Sequence, residues 1–489
     1  MTKMKRYILG IDQSTQATKV IAFDPNGCVC GSVNVRHKQY VSNGNWVEHD
    51  AEEIYCNLLS AVRQLMEQCF IDEAEIAGIG LCNQRETVVA WNRKTGKPLC
   101  RAIVWQDSRA EEQCNAIHPR IKNEIYLHTG LRVSAYFSAA KCGWIMENIP
   151  DASKLAQSGD LCFGTIDTWL LFCMTDGESF CTEYSNASRT QLFNIYDLCW
   201  DDMACEAFHV PRSALPEVLD SQSRFGVTTL SGVFSSPVPI CSMIGDSQGA
   251  LYGHGCTEDG MTKVTYGTGS SVMMFTGTKS YASTHGLVTS IAWGIGGNVS
   301  YVLEGNINYS AATLNWLKEI GVFQEDAAID GMAATARKTD EVYIVPAFSG
   351  IGAPHWKPNA KALICGITAD TGKKELVRAG VESIAFQVCD VLAAMEKDTA
   401  ISLKEIRCDG GATKGTYLMQ FQADLSNVQL GVSRFGEMSC WGAAKLAAAE
   451  LGFEGFFSCV LETTHYVAQM NDTERQKRLS GWMDALKKT

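Results

Sequence analysis

A chain of 489 residues, 46% of them apolar, is too long for a single hydrophobic core and should fold as at least two domains. A formal net charge of -12 and a pI near 5.3 exclude the basic surface that nucleic acid or anionic lipid would require, so neither is an expected partner. No run approaches the ~18 uninterrupted apolar residues of a membrane span, and MTKMKRYILG shows no secretory leader, so a cytoplasmic protein is expected. The twenty cysteines are scattered without a Cys-x-x-Cys pair, and the nine histidines lack metal-site spacing. Buried thiols in a reducing compartment account for them, rather than a disulfide framework.

The chain opens on YILGIDQSTQATKVIAFDPNG (7–27), which reads as strand, turn, strand. Ile8, Ile11, Val20, Ile21 and Phe23 are the apolar positions, and Asp24-Pro25-Asn26-Gly27 signals a second hairpin. A helix should start after Asp50, an N-cap before Glu52 and Glu53, with Ile54, Leu58, Leu59, Val62, Leu65 and Met66 on one face. IAGIGLCNQRE (76–86) reads as a buried strand that carries Arg85 and Glu86 at its carboxyl end. Strands alternating with helices argue for an α/β fold with ligands beyond the carboxyl ends of strands.

Halfway along, MTKVTYGTGSSVMMFTGTKS (261–280) repeats the opening pattern of strand, hydroxyl-and-glycine turn, strand. This implies an internal duplication, with one domain over 1–253 and a second over 254–489. A Pro/Gly-rich insert (345–368) precedes a helix beginning near Lys373, and IRCDGGATKG (406–415) ends in another acid-glycine turn.

Three turns therefore share one chemistry: Asp12-Gln13-Ser14-Thr15, Gly267-Thr268-Gly269 and Asp409-Gly410-Gly411-Ala412. Glycine lets backbone N–H groups approach a ligand, hydroxyls add donors for phosphate oxygens, and a nearby carboxylate can hold a cation directly or through water. Neither a Walker A motif nor a helix-opening Gly-x-Gly-x-x-Gly is present.

With DQSTQATK (12–19), GNWVEHD (44–50), CNQRETVVAW (82–91), AIVWQDSR (102–109), FGTIDTWLL (163–171), YSNASRTQLFNI (184–195), IGDSQGALYG (244–253), TYGTG (265–269), VPAFSGIGAPHW (345–356) and DGGA (409–412), the chain resembles the glycerol kinase branch of the FGGY carbohydrate kinases. The resemblance implies two ribonuclease-H-like domains of the actin and hexokinase ATPase type, with a cleft between them. It implies transfer of a phosphoryl group from ATP, with Mg²⁺, to a small polyol or sugar. The N-terminal domain would bind the acceptor and phosphates, and the C-terminal domain the nucleotide. By resemblance Asp246 is the base for the attacking hydroxyl, and Asp12 organises Mg²⁺ through water. Arg85, Glu86, Trp105, Tyr136 and Asp246 bind the acceptor, which agrees with what a polyol needs: charged partners for its hydroxyls and an aromatic wall for its carbon face. Thr15, Lys19 and Thr268 meet the phosphates and Gly411 the adenosine. Relatives of this type also imply a homodimer or homotetramer.

The departures concern substrate first. Ser247 stands where these kinases usually carry glutamine, and Ser271 where they carry a phenylalanine against the carbon chain of glycerol. Both changes enlarge the pocket, which leaves room for a tetritol or pentitol and weakens the hold on a three-carbon ligand. On the nucleotide side, Lys19 replaces an arginine, and Ser14 a glycine. Ala311, Asn315 and Gly415 replace glycine, glutamine and asparagine. These positions stay as expected nucleotide neighbours. Two other readings remain at this point: a ketose kinase such as one for xylulose, which would usually show Met-His in place of Arg85-Glu86, and a non-catalytic actin-like ATP-binding protein.

Overall fold

A computed structural model describes residues 6–337, 341–453, 457 and 461–489. The expectation about a leader falls partly on residues 1–5, and one of the twenty cysteines is Cys459; both lie outside the described residues. Every cysteine among the described residues is a free thiol, and no helix among them is long and apolar enough to cross a membrane.

The opening stretch folds as read. Strand Tyr7–Gln13 turns at Ser14 and returns antiparallel as Ala17–Phe23, with Asp12 opposite Lys19. A second hairpin, closed by the Asp24 carboxylate on the backbone N–H groups of Asn26 and Cys28, leads to Val29–Arg36. Asp50 caps the helix Ala51–Cys69 by accepting from the N–H groups of Glu52 and Glu53. That helix buries Ile54, Leu58, Val62 and Leu65, while Leu59 and Met66 sit at the margin of the same core. Strand Ile76–Asn83 lies parallel to Tyr7–Gln13 and is buried throughout, as a strand covered on both faces must be.

The duplication is visible in the topology. In the first half the order runs Val29–Arg36, Ala17–Phe23, Tyr7–Gln13, Ile76–Asn83, Val238–Gly245. In the second it runs Asn298–Ile307, Ser270–Phe275, Met261–Tyr266, Glu405–Asp409, Leu430–Ser433. Each half joins three strands antiparallel and then adds two parallel ones. The halves meet through strands Gln222–Thr228 and Val288–Ile295, paired only at Gln222 and Ile295, within one sheet of thirteen strands.

Helices join the halves on one face. Met438–Glu450 comes late in the chain, yet it packs on the first half's sheet and crosses helix Asp246–Gly253. The crossing needs glycine on both sides: a Cβ on Gly442 would lie 2.0 Å from the Gly249 carbonyl oxygen. Ser242 donates to the Ala443 carbonyl at 2.7 Å across the same contact. The first turn of helix Asp246–Gly253, which presents Asp246, is thus held from both halves.

Candidate active site

Strand Val238–Gly245 hands the chain directly to the helix that begins at Asp246, so this carboxylate stands at a strand's carboxyl end and a helix's first turn. The N–H of Ser247 donates to Asp246 Oδ1 at 2.6 Å, which fixes one oxygen and leaves the side chain 37% exposed. Beside it, at the end of the parallel strand Ile76–Asn83, come Arg85 and Glu86. Arg85 Nε lies 3.5 Å from Asp246 Oδ1 and 4.0 Å from Glu86 Oε1. Glu86 takes a positive φ of 62°, a left-handed conformation that a glutamate adopts only where its surroundings dictate it.

Two residues not singled out in the sequence complete this cluster. Glu304, from strand Asn298–Ile307 of the second half, accepts from both terminal nitrogens of Arg85 at 2.8 and 2.9 Å. Arg189 donates to Glu86 at 2.6 Å and places Nη1 3.1 Å from Glu304. Arg85, Glu86, Arg189 and Glu304 are all buried, with Glu304 fully so. Burial opposes the charge of Glu304, but Arg189 and Arg85 outweigh it and hold its carboxyl well below the usual range. Burial likewise opposes the charge of Arg85, and Glu304 and Glu86 more than restore it.

The aromatic wall lies against this cluster. Trp105 and Tyr136 meet edge to face, with ring centroids 5.7 Å apart. Burial, with Glu86 nearby, raises the Tyr136 phenol well above its ordinary value, so it stays a neutral donor. The loop under Tyr136 is held by Lys141, a buried lysine whose Nζ donates to the carbonyls of Ala135, Tyr136 and Phe137 at 2.7, 2.6 and 3.3 Å. Asp107 and Arg109, next to this wall in sequence, pair with each other at 2.7 Å, and Arg109 also pairs with Glu48 at 2.9 Å.

Asp12 lies one residue before the end of the first strand, across from Lys19 and level with Cys82. Burial and the nearby charge of Asp246 push its carboxyl up to about 7, against the thiol hydrogen bond from Cys82 and the charge of Lys19. Its Oδ1 is buried and has no hydrogen-bond partner among the described residues. Two acids in mutual repulsion, one with an orphaned oxygen, fit a hydrated divalent cation between protein and phosphate. Ser14 closes the turn by donating to the Ala17 carbonyl at 3.0 Å, and the Thr15 hydroxyl accepts from the Trp105 indole at 2.9 Å. Lys19 pairs with Glu437 at 2.5 Å, so its ammonium faces both this acid and the Asp12 carboxylate.

The other two turns stand side by side, because Thr265 and Asp409 are partners on parallel strands. The carbonyls of Gly267 and Thr268 accept from the N–H groups of Ala311 and Ala312 and so seat the helix Ala311–Glu319. A cavity of about 670 Å³ opens between these turns and that helix. Thr268, Ala311, Asn315, Gly411 and Gly415 all line it, together with Leu314, Ile329, Asp330 and Leu418. Apolar sides and small residues at one rim suit a flat base with a sugar and phosphates. Asp409 itself is engaged by His254 at 2.8 Å, beneath the cavity rather than in it.

Ser247 and Ser271 fall at different depths. The Ser247 side chain is partly exposed beside Asp246. Ser271 lies opposite Asn306 on the neighbouring strand, and its hydroxyl is buried without a partner among the described residues.

Residues 7–253 match the N-terminal domain, and residues 262–451 the C-terminal domain, of the FGGY family of carbohydrate kinases; the chain belongs to that family. It is 41% identical to a glycerol kinase of Bacillus subtilis over 490 residues, 99% of each chain. A glycerol kinase of Bacillus anthracis is 40% identical over 492 residues, again covering 99% of each. Among solved structures, Plasmodium falciparum glycerol kinase with ADP superposes with a TM-score of 0.92 at 36% identity, covering 99% of this chain and 98% of that one. Xylulose kinase from Lactobacillus acidophilus reaches 0.87 at 20% identity, over 98% of this chain and 97% of that one, and so shares the fold.

Proposed function

We propose that the chain transfers the γ-phosphoryl group of ATP to a terminal hydroxyl of glycerol or of a closely related, longer polyol. The observation that carries this is the half-open Asp246 carboxylate 3.5 Å from Arg85, at the edge of a cluster that is otherwise sealed. Phosphoryl transfer depends on position and charge, with a base for the attacking hydroxyl. Asp246 takes that proton. Arg85 and Glu86 bind neighbouring hydroxyls, and Trp105 and Tyr136 cover the carbon face. Ser14, Thr15, Lys19 and Thr268 face the phosphates, while Ala311, Asn315, Gly411 and Gly415 line the adenosine site. Asp12 is the residue that would hold Mg²⁺, through water, and the ion would supply charge neutralisation on the phosphates.

The roles divide between the halves, acceptor and phosphates over 1–253 and nucleotide over 254–489. Closure of the halves would exclude water and so limit hydrolysis of ATP. The enzyme works in the cytoplasm, as a homodimer or homotetramer. Bacillus glycerol kinases at 40% and 41% identity over the full chain favour glycerol itself, and the two serines favour a larger relative.

The test is an ATP-consumption assay against glycerol, erythritol, threitol, xylitol, ribitol, arabitol, dihydroxyacetone and xylulose, with Asp246→Asn as control. A polyol should give the highest kcat/KM, and Asp246→Asn should lose turnover by orders of magnitude while still binding nucleotide. Full activity in that variant would remove Asp246 from the role of base, and a preference for xylulose would make the enzyme a ketose kinase.

A further inference from the structure

Arg85 has two edges for a carboxylate. Its paired terminal nitrogens are taken by Glu304, bidentate at 2.8 and 2.9 Å, and Nη1 also reaches Gln248 at 3.2 Å. Only Nε is left to face the acids of the acceptor site, at 3.5 Å from Asp246 and 4.0 Å from Glu86. Bidentate pairing is the stronger geometry for an arginine and a carboxylate. If Glu304 did not hold that edge, Arg85 could turn it onto Asp246. The base would then be locked in a salt bridge and unable to accept a proton.

The same carboxylate restrains Arg189, whose Nη1 lies 3.1 Å away and whose Nε holds Glu86 at 2.6 Å. Asn306 Nδ2 donates to Glu304 Oε1 at 2.9 Å and fixes the glutamate in turn. Glu304 is fully buried and belongs to the second half of the chain, 219 residues from Arg85. Its strand continues through Asn306 and Ile307 toward the helix Ala311–Glu319, which lines the nucleotide cavity. The acceptor residues of the first half are therefore aligned by a side chain that the second half inserts.

We infer that Glu304 is a positioning residue: by occupying the bidentate edge of Arg85 and restraining Arg189, it keeps Asp246 free as the base and Glu86 aimed at the acceptor. This rests on the reading of Asp246 and Glu86 given above. A buried ion cluster with only a structural role would instead affect stability and leave the kinetics of the folded enzyme alone.

The test is Glu304→Gln in the full chain, with nucleotide affinity and stoichiometry measured by calorimetry using a non-hydrolysable ATP analogue, and kcat and KM measured with the best polyol of the panel. The expected result is full stoichiometry and a nucleotide Kd within threefold of wild type, an acceptor KM raised at least tenfold and kcat lowered at least tenfold. Glu304→Asp, which restores the charge, should recover at least threefold of the lost kcat. A folded Glu304→Gln enzyme with kcat and acceptor KM within threefold of wild type overturns the inference. Should Glu304→Gln not fold, Asn306→Leu decides. It removes only the support at Oε1 and should raise the acceptor KM at least threefold with nucleotide Kd unchanged, and a wild-type KM there overturns the inference equally. Asp246→Asn, run in parallel, separates the two levels. If it keeps its activity, the assignment of the base fails; if it is inactive while Glu304→Gln is normal, only the role of Glu304 fails.

Discussion

Trp105 donates its indole N–H to the hydroxyl of Thr15 at 2.9 Å, so the aromatic wall and the turn after the first strand, proposed above to meet acceptor and phosphates, share one hydrogen bond. A hydrogen bond of this kind contributes on the order of 0.5–1.5 kcal/mol. Trp105→Phe keeps an aromatic face and removes the donor. It should raise the KM for ATP as well as for the acceptor, each by roughly two- to tenfold. A change in the acceptor KM alone, in steady-state kinetics with both substrates varied, would show that the turn does not depend on the indole.

The buried cluster should be fragile to single truncation. Arg189→Met leaves Glu86 and Glu304 sealed from water with one guanidinium between them. Breaking a buried pair on one side costs about 3–5 kcal/mol, because an uncompensated charge remains. The transition midpoint in urea should fall clearly for Arg189→Met, and a midpoint equal to wild type would contradict the charge accounting.

The strands and turns were legible in the sequence because those signals are local, and five residues placed by resemblance, Thr268, Ala311, Asn315, Gly411 and Gly415, line the one cavity described above. Asp50 caps its helix where a hydrogen-bonding side chain before two glutamates should, and Gly410 sits at a turn where its φ is +97° and the Tyr266 backbone passes close. Glu304 was not legible. In YVLEGNI it reads as one acid in a strand, and its partners are 115 and 219 residues away. Arg189 lay within a stretch already marked by resemblance, yet nothing local tied it to Glu86. Lys141 was hidden for a related reason: a lysine in a helix is ordinarily solvated, and only the fold turns this one onto three carbonyls. Long-range pairing of charges, unlike periodicity, leaves no mark on neighbouring residues.

Lys141 gives the pH dependence a sign. Burial pulls its ammonium down to about 8, against the pull of Glu86 and Asp107. Below pH 8 it is charged and carries three protons for the three carbonyls under Tyr136; above, it carries two. Acceptor binding should weaken as pH rises through about 8. Global stability should move the other way: between 8 and the ordinary lysine value of 10.5 the folded chain holds fewer protons here than the unfolded one, so this residue's contribution rises with pH. Lys141→Met should raise the acceptor KM at all pH values and abolish the loss near pH 8. A limb that persists in Lys141→Met belongs to another group.

Adjacent glycines at the third turn should behave differently. Gly410 has φ of +97°, and a Cβ there would lie 2.4 Å from the Tyr266 carbonyl oxygen. Gly410→Ala should therefore distort the turn and destabilise the protein by about 1–3 kcal/mol. Around Gly411 a Cβ would meet nothing within 4 Å, and the residue lines the cavity. Gly411→Ala should fold as wild type, and larger residues there should reduce nucleotide affinity by occupying the cavity. Thermal denaturation and nucleotide titration of both variants distinguish the two effects.

Choice of acceptor should turn on Ser271. Its hydroxyl is buried without a protein partner among the described residues, opposite Asn306 and two strand positions from Met273, the residue paired with Glu304. A buried hydroxyl left unpaired is costly, and a ligand hydroxyl that reaches it would remove the cost. A polyol longer than glycerol has that additional hydroxyl. Ser271→Phe replaces the polar site with apolar bulk, so it should shift relative kcat/KM from four- and five-carbon polyols toward glycerol by at least tenfold, or about 1.4 kcal/mol of transition-state preference. Ser271→Ala should lose activity on the longer polyols and keep its activity on glycerol. If neither variant changes the ranking of acceptors, the enlarged pocket is filled by neighbouring side chains and glycerol is the substrate that the site selects.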